Sequence, residues 1–299
     1  MENKKTVKLN SKKNRLKQKS KTEKVVFTVV FVFFATYSIL LLLPFCYGFT
    51  IALKENGRAF MKEPVAITFP LYFKNFLYAF EALKINEENT FWTMIVNSVW
   101  YSIGMSVISI FSSTCVAYVV AKYQFRGRKF IYALTLIVMM IPIYGALPAQ
   151  YKLYDTLNFI DSPLILITAI GGFNANFIYI YSFFKGFSWD YAEAAFVDGA
   201  GNFKVFFTIA LPMMLPSVSA LSIMAFIGNW NDYATPLLWL PNMLPLATGL
   251  YRYDFNMQFE ANQPLYFAGV FLSLIPVVAL FICFQNTIMS SVYSGGLKG

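Results

Sequence analysis

The sequence predicts an all-α, polytopic integral membrane protein, and three observations carry that expectation. Of 299 residues, 58% are hydrophobic and only 13% charged, against about 45–50% and about 25% in a soluble domain. Mean hydropathy is +0.55. Six apolar runs free of Asp, Glu, Lys and Arg approach or exceed the ~20 residues a helix needs to cross a bilayer. They are Val25–Ile51, Thr93–Val120, Phe130–Leu147, Leu164–Phe184, Phe206–Gly228 and Tyr266–Val292. So few polar side chains cannot cover a water-exposed surface, which excludes an ordinary cytosolic enzyme or a secreted domain.

Residues 1–24 form a separate basic tail. They hold ten of the 24 Lys and Arg residues against Glu2 and Glu23, so the tail accounts for +8 of the net charge of +9. A nucleic-acid-binding face is therefore not expected, because basic recognition surfaces are mounted on folded elements. The tail reads as disordered, cytoplasmic and held near anionic membrane lipid. The first run is about twice the length of a signal-peptide core and lacks a small-residue cleavage site, so it reads as a retained span.

The loop 52–91 carries Phe69, Tyr72, Phe73, Phe76 and Phe80 at helical spacing, which predicts a half-buried or interfacial helix. The third run is the shortest and contains Pro142 before Pro148, so a kink or thinning is expected near its outer end. The fourth run carries Gly171, Gly172, Asn174 and Asn176. Such residues face another helix or a wet cavity in preference to lipid. Asn174, Asn176 and Asn229, placed beyond the fifth run, are pathway candidates, with interhelical hydrogen bonding as the other reading of each.

Orientation follows from Lys and Arg near the run ends. The tail, loop 121–129, loop 185–205 and Lys298 hold 17 basic residues, and the alternate loops hold seven. Both termini are accordingly expected in the cytoplasm.

The missing chemistry is informative too. With no histidine, His-based acid–base catalysis and most zinc or haem sites are excluded. Cys46, Cys115 and Cys283 are dispersed in apolar runs and read as small buried hydrophobes. No catalytic and no metal site is expected. A secondary carrier would need ionisable groups at membrane depth. A membrane enzyme would need acids or histidines clustered at one face, and the acidic residues here are dispersed.

The loop between runs four and five has a distinct design. Ser188 or Asp190 is placed to cap a short helix, and Asp190 with Glu193 has capping-box spacing. Tyr191, Ala194, Ala195 and Asp198 continue it for two to three turns. Gly199 stops it, because glycine tolerates positive φ. A second helix starts near Asn202. The two alanines leave a strip that can press closely on a partner, with Glu193 and Phe196 beside it.

Glu193, Ala194, Ala195, Gly199, Ile209, Leu211 and Pro212 follow the spacing E-A-A-x3-G-x9-I-x-L-P. This resembles the signature of membrane-spanning subunits of binding-protein-dependent ABC importers. Other segments resemble the carbohydrate, maltose-transporter-like branch: Asn97-Ser98, Ala117-Tyr118 followed by Phe125-x-Gly127-Arg128, and Met139-Met140-Ile141-Pro142. Trp230-Asn231-Asp232 with Pro236, and the terminal Gly296-Leu297-Lys298-Gly299, extend the likeness. Lys122 stands where that pattern usually has Arg. The aromatic stretch 91–100 also departs from it.

The resemblance implies a type I importer transmembrane domain of six helices, spanning 25–299, whose cytoplasmic coupling helix docks on a separate ATPase. Glu193, Ala194, Ala195, Asp198 and Gly199 would make that contact, with Ile209, Leu211 and Pro212 at the base of run five. The chain has no G-x-x-x-x-G-K-[ST] phosphate loop. It would therefore bind no cofactor itself, with ATP and Mg on the partner ATPase, and would be a non-catalytic transport subunit. Implied partners are a homologous second permease, two ATP-binding subunits, an extracytoplasmic solute-binding protein and a sugar or oligosaccharide. The implied location is a prokaryotic cell membrane. A non-sugar cargo within the same importer class is the main alternative, with a secondary transporter behind it.

Overall fold

A computed structural model describes residues 21–141, 145–256 and 262–296, and all regular structure among them is helical. In chain order the elements are α1 (Lys21–Ala52), α2 (Gly57–Lys62), α3 (Asn75–Ala82) and α4 (Phe91–Lys122). Then come α5 (Arg128–Met140), α6 (Leu147–Thr156), a 3-10 helix (Pro163–Ala169), α7 (Ala175–Gly186) and α8 (Asp190–Val197). The last are α9 (Asn202–Asn231), α10 (Ala234–Trp239), α11 (Leu246–Asn256) and α12 (Gln263–Gly296). Among the described residues, four helices are long and apolar enough to cross a membrane: α1, α4, α9 and α12.

The third run stops short near its outer end, where a kink or thinning is expected, and the fourth differs from the single span the sequence predicts. α5 has 13 residues, about 20 Å at 1.5 Å per residue, short of a hydrocarbon core of about 30 Å. Ile141 is already extended, and the next helix begins at Leu147. Pro142 lies outside the described residues. The run 164–184 is not one helix: it starts as the 3-10 segment, opens at residues 170–173, and resumes as α7. Three features break it. Gly171 and Gly172 have weak helix propensity. Asn174 Oδ1 accepts from Phe177 N at 3.1 Å and so caps a new helix. Ser113 of α4 reaches across to the Gly171 carbonyl and to Asn174 Oδ1, at 3.4 and 3.2 Å.

α4 is the central rod, packed by the 3-10 segment, α7, α9 and α11. Three apolar clusters surround it. One joins Phe91 and Met94 to Trp230, Leu244, Leu246 and Leu250 at one end of the molecule. A second joins Tyr101 and Ile165 to Trp239 and Leu240. The third joins Ile110, Ala117 and Tyr118 to Phe177, Phe184, Phe206 and Ala210 toward the opposite end. α1, by contrast, exposes apolar side chains on all sides between Val25 and Phe45, the pattern of a helix surrounded by lipid or by other chains. Cys46 and Cys283 share this exposure and Cys115 is only half-buried. The expectation that all three cysteines are buried is corrected, because this chain does not cover the apolar faces of α1 and α12 that carry two of them.

The loop after α1 folds around a buried lysine. Lys54, 1% exposed, donates to the carbonyls of Glu63 and Ala66 at 2.7 and 2.6 Å. Asn75 Nδ2 donates to the carbonyls of Ala52 and Lys54 at 2.8 and 2.7 Å. Of the five aromatics with helical spacing, only Phe76 and Phe80 sit on a helix, α3. Phe69, Tyr72 and Phe73 precede its start at Asn75, so the expected helix is shorter than its spacing indicated. Phe80 packs on Phe91 and Trp92 at 4.9 and 5.1 Å between ring centroids, which gives the aromatic start of α4 a packing role.

Candidate functional site

The residues of the loop between the fourth and fifth runs form a compact two-helix element. α8 has eight residues, and four residues separate its end from the start of α9. The capping box anticipated from Asp190 and Glu193 is absent: Trp189 occupies the N-cap position with helical backbone and no side-chain cap bond. Asp190 N instead donates to Ser188 Oγ at 3.3 Å. The helix thus starts one residue too early for Asp190 to cap it. Both carboxylates still stand in its first turn, where the N-terminal dipole favours negative charge.

The helix stop is as expected from Gly199. Its φ is +78°, Ala200 N donates to the Ala195 carbonyl at 2.9 Å and Gly199 N to the Phe196 carbonyl at 3.0 Å. Together these are the two bonds of a Schellman stop. Glu193, Ala194, Asp198 and Gly199 are exposed and Ala195 is half-buried. Ala192 is the residue turned fully inward. The two alanines therefore do not form a single outward strip; Ala194 carries the exposed small surface. Val197 (88% exposed) and Phe203 (83%) stand out of the same end of the molecule, apolar groups with no covering from this chain.

At the start of α9, residues Phe206–Ala210 form a π turn, and Leu211 N donates to the Phe206 carbonyl. Pro212 lies just inside the α-helix that follows. Proline has no N–H and its ring clashes with the carbonyl four residues back; the wider π turn before it relieves that conflict. Leu211 packs on the cluster of Tyr118, Phe184 and Phe206, while Ile209 is half-buried and Pro212 exposed.

Two residues at the end of α4 hold this loop. Lys122 Nζ donates to the Phe187 carbonyl and lies 5.0 Å from the ring centre of Phe187 and 5.7 Å from that of Trp189. Tyr123 OH donates to Asn202 Oδ1 at 2.8 Å. The Trp189 ring packs among Tyr118, Tyr123 and Phe196 at 6.2, 5.8 and 6.0 Å. Gly127, with φ +95°, turns the chain into α5 just beyond. Sequence reasoning passed over Lys122 as an inconsequential change and did not single out Tyr123.

Further along α4 lies an open cavity of about 320 Å³, mostly apolar but with two amides and a hydroxyl, lined by Met105, Ser109, Ala169, Asn176, Ala225, Gly228 and Asn229. Asn176 and Asn229 meet there. Asn229 lies within α9, not beyond the fifth run, and its Nδ2 donates to Ser106 Oγ at 3.0 Å. Ser106 Oγ in turn donates to the Ser102 carbonyl at 2.6 Å. Asn174 does not line the cavity; cap and Ser113 engage its carbonyl oxygen, and its Nδ2 donates to the Gly171 carbonyl at 3.0 Å. Its side chain thus serves the break in the fourth run.

At the opposite end, Asn97 Nδ2 donates to the Leu244 carbonyl at 3.2 Å and Leu246 N donates to Ser98 Oγ at 2.7 Å. The Asn97-Ser98 pair therefore fastens residues 244–246 to α4. Trp230 is buried and donates to the Ser273 carbonyl at 3.2 Å, tying α9 to α12.

Residues 113–289 match the family described as the binding-protein-dependent transport system inner membrane component. The chain is 31% identical over 270 residues to the arabinooligosaccharides transport system permease protein AraQ of Halalkalibacterium halodurans, covering 89% of this chain and 92% of the relative. It is 30% identical to the maltodextrin transport system permease protein MdxG of Bacillus subtilis, over 72% of this chain and 79% of the other. A solved bacterial ABC transporter involved in the import of the acidic polysaccharide alginate shares the fold, at TM-score 0.73 and 21% identity over 90% of this chain and 98% of the neighbour. The matched segment holds the Lys122–Tyr123 turn, the α8 loop and the cavity residues Asn176 and Asn229. The chain belongs to the family of inner membrane components of binding-protein-dependent transport systems.

Proposed function

We propose that this chain is the non-catalytic permease subunit of an ATP-driven importer that takes up a sugar or oligosaccharide delivered by a solute-binding protein. The observation that carries the reading is α8, a short exposed helix with Glu193 and Ala194 outward and a glycine-dependent stop, in a chain of this family. It acts as the coupling helix, seated on one of two ATP-binding subunits that hold ATP and Mg, beside a homologous second permease. In this reading the chain crosses six times, at α1, α4, α5, the 3-10 segment with α7, α9 and α12, although α5 by itself is shorter than the hydrocarbon core. The excess of basic residues on the α8 side supports cytoplasmic termini in a prokaryotic cell membrane.

Ala194→Cys in the assembled complex tests the docking. Oxidative or bifunctional cross-linking is expected to capture an ATP-binding subunit at high yield, more strongly in one nucleotide state than another. Capture of no such subunit, or labelling of the introduced thiol from outside sealed cells, overturns the reading.

Sugar cargo is supported by the substrates in the relatives' names and by the cavity. Its lining offers two amides and a hydroxyl and no charged side chain, donors and acceptors suited to a neutral, hydroxyl-rich solute. Asn174 holds the bend beside Asn176. Truncating Asn176 and Asn229 together to leucine leaves solute hydroxyls unpaired, at about 1–3 kcal/mol each. Radiolabelled uptake is expected to fall at least about tenfold with unchanged complex yield. Unaltered uptake removes the cavity from the pathway.

A further inference from the structure

The geometry points to Lys122 and Tyr123 as positioning residues that tie the stroke of α8 to the walls of the cavity that Asn176 and Asn229 line. This rests on the reading of α8 as the ATPase-facing helix and adds the route by which its motion travels. The cavity is walled by three main helices: α4 through Met105 and Ser109, α7 through Asn176, and α9 through Ala225, Gly228 and Asn229. All three meet at the clamp. Lys122 and Tyr123 stand at the end of α4, Phe187 immediately follows α7, and Asn202 is the first residue of α9.

Each bond of the clamp joins two of these ends. The Lys122 ammonium fastens the α4 end to the carbonyl after α7, and its position over the Phe187 and Trp189 rings adds attraction to their faces. The Tyr123 hydroxyl fastens the α4 end to Asn202. The entry and exit of the coupling loop are therefore both held by adjacent residues of one helix, with Trp189 packed between them.

From that point α4 runs unbroken for 13 residues to Ser109 and 16 to Ser106, about 20–24 Å along its axis. α9 has no such continuity, because its π turn at Phe206–Ala210 lies between clamp and cavity. A displacement of α8 thus reaches the cavity through α4 and α7, both unbroken between clamp and cavity, and Lys122 locks the two together. The charge on Lys122 matters for direction: the ammonium bonds a backbone carbonyl, so the contact fixes the position of the main chain at the loop entry.

The test uses the full complex, reconstituted in proteoliposomes with its ATP-binding subunits and solute-binding protein, with maltotriose and arabinotriose as the probe sugars. The readout is sugar imported per ATP hydrolysed. Lys122→Met is expected to lower this ratio about tenfold, the worth of one charge-assisted hydrogen bond, while basal ATP hydrolysis stays within about twofold. Tyr123→Phe, which removes one oxygen atom, is expected to lower it about threefold, and Lys122→Arg to restore it to within about twofold of the parent. A merely structural role would reduce yield and thermal stability and leave the ratio intact. Should Lys122→Met fail to assemble, Tyr123→Phe alone decides.

Unchanged ratios in both variants overturn the clamp. Cross-linking from Ala194→Cys, repeated in each background, separates this from failure of the underlying reading. Capture of the ATPase with unchanged ratios defeats the clamp alone, whereas no capture in the parent defeats the coupling helix itself. If neither probe sugar is imported by the parent complex while the cross-link forms, the ratio is read as binding-protein-stimulated ATP hydrolysis over basal, with the same fold-changes expected and the same unchanged result overturning the clamp.

Discussion

Gly199→Val is expected to cut binding-protein-stimulated ATP hydrolysis and uptake at least about fivefold while the complex still assembles. The argument is one of backbone conformation alone. Gly199 has φ +78°, and a Cβ placed there would meet nothing within 4 Å, so no steric clash with neighbours contributes. An L-residue in the left-handed region costs about 1–2 kcal/mol, and a β-branched one is a more severe outlier. That cost falls on the two bonds that end α8, Ala200 N to Ala195 and Gly199 N to Phe196. Relief by unwinding would move Asp198 and the last turn of α8 out of register with the ATP-binding subunit on which α8 is proposed to sit. One to two kcal/mol corresponds to a factor of about 5–30 between ordered and relaxed forms. A graded series checks the cause: Gly199→Asn should be mildest because asparagine visits this region, Gly199→Ala intermediate, and Gly199→Val worst. Equal activity across the three variants, measured with the reconstituted complex, would defeat the assignment.

The stop at Gly199 was legible in the sequence because a glycine between a short amphipathic segment and a new helix has a single strong local reason to be there. The same holds for α1, α4, α9 and α12, whose long apolar runs outweigh every local irregularity, including Pro44, Pro216 and Pro276 inside them. Neighbouring helices and local adjustments satisfy the backbone groups such prolines release. The fourth run was only half legible. Its glycines and asparagines were visible, but whether Asn174 faces a cavity or caps a helix depends on Ser113, 61 residues earlier. Hydropathy reports none of that pairing.

The cavity illustrates the same limit. Asn176 and Asn229 were singled out because amides are costly in an apolar helix, and they do meet. Ser106, which orients Asn229, was not singled out, though α4 carries serine at 98, 102, 106, 109 and 113, spaced by three and four on one helical face. That stripe was readable and lets α4 pack closely in the middle of the molecule. Lys122 was readable only as a basic residue standing where the family pattern usually has Arg. A lysine after an apolar helix looks like any charge at a membrane boundary, and only the position of the Phe187 carbonyl gives it a specific partner.

The second large effect is expected at a residue the sequence never singled out. Asn89→Leu should lower the thermal unfolding midpoint of the detergent-solubilised complex by at least about 5 °C and open residues 242–246 to protease. Asn89 is 1% exposed. Its Oδ1 accepts from Leu244 N at 3.0 Å, and its Nδ2 donates to the Asn242 carbonyl at 3.0 Å and to Asn86 Oδ1 at 3.1 Å. One side chain thereby satisfies a donor and an acceptor on a segment 153–155 residues away. Leucine has similar bulk but neither group, so the buried Leu244 N–H loses its partner. Orphaning a buried polar group costs about 1–3 kcal/mol, and the Asn242 carbonyl loses its partner as well. At about 2–4 °C per kcal/mol for a domain of this size, the two losses together reach the stated shift. Ser98→Ala, which removes only the acceptor for Leu246 N, should shift the midpoint about half as far. Asn97 would still hold the Leu244 carbonyl in both variants, so the segment should loosen without detaching. An Asn89→Leu complex that melts with its parent would show that the Asn89 bonds contribute nothing net, and that apolar packing of Leu244 and Leu246 with the Asn97 and Ser98 bonds suffices to hold residues 242–246 against α4.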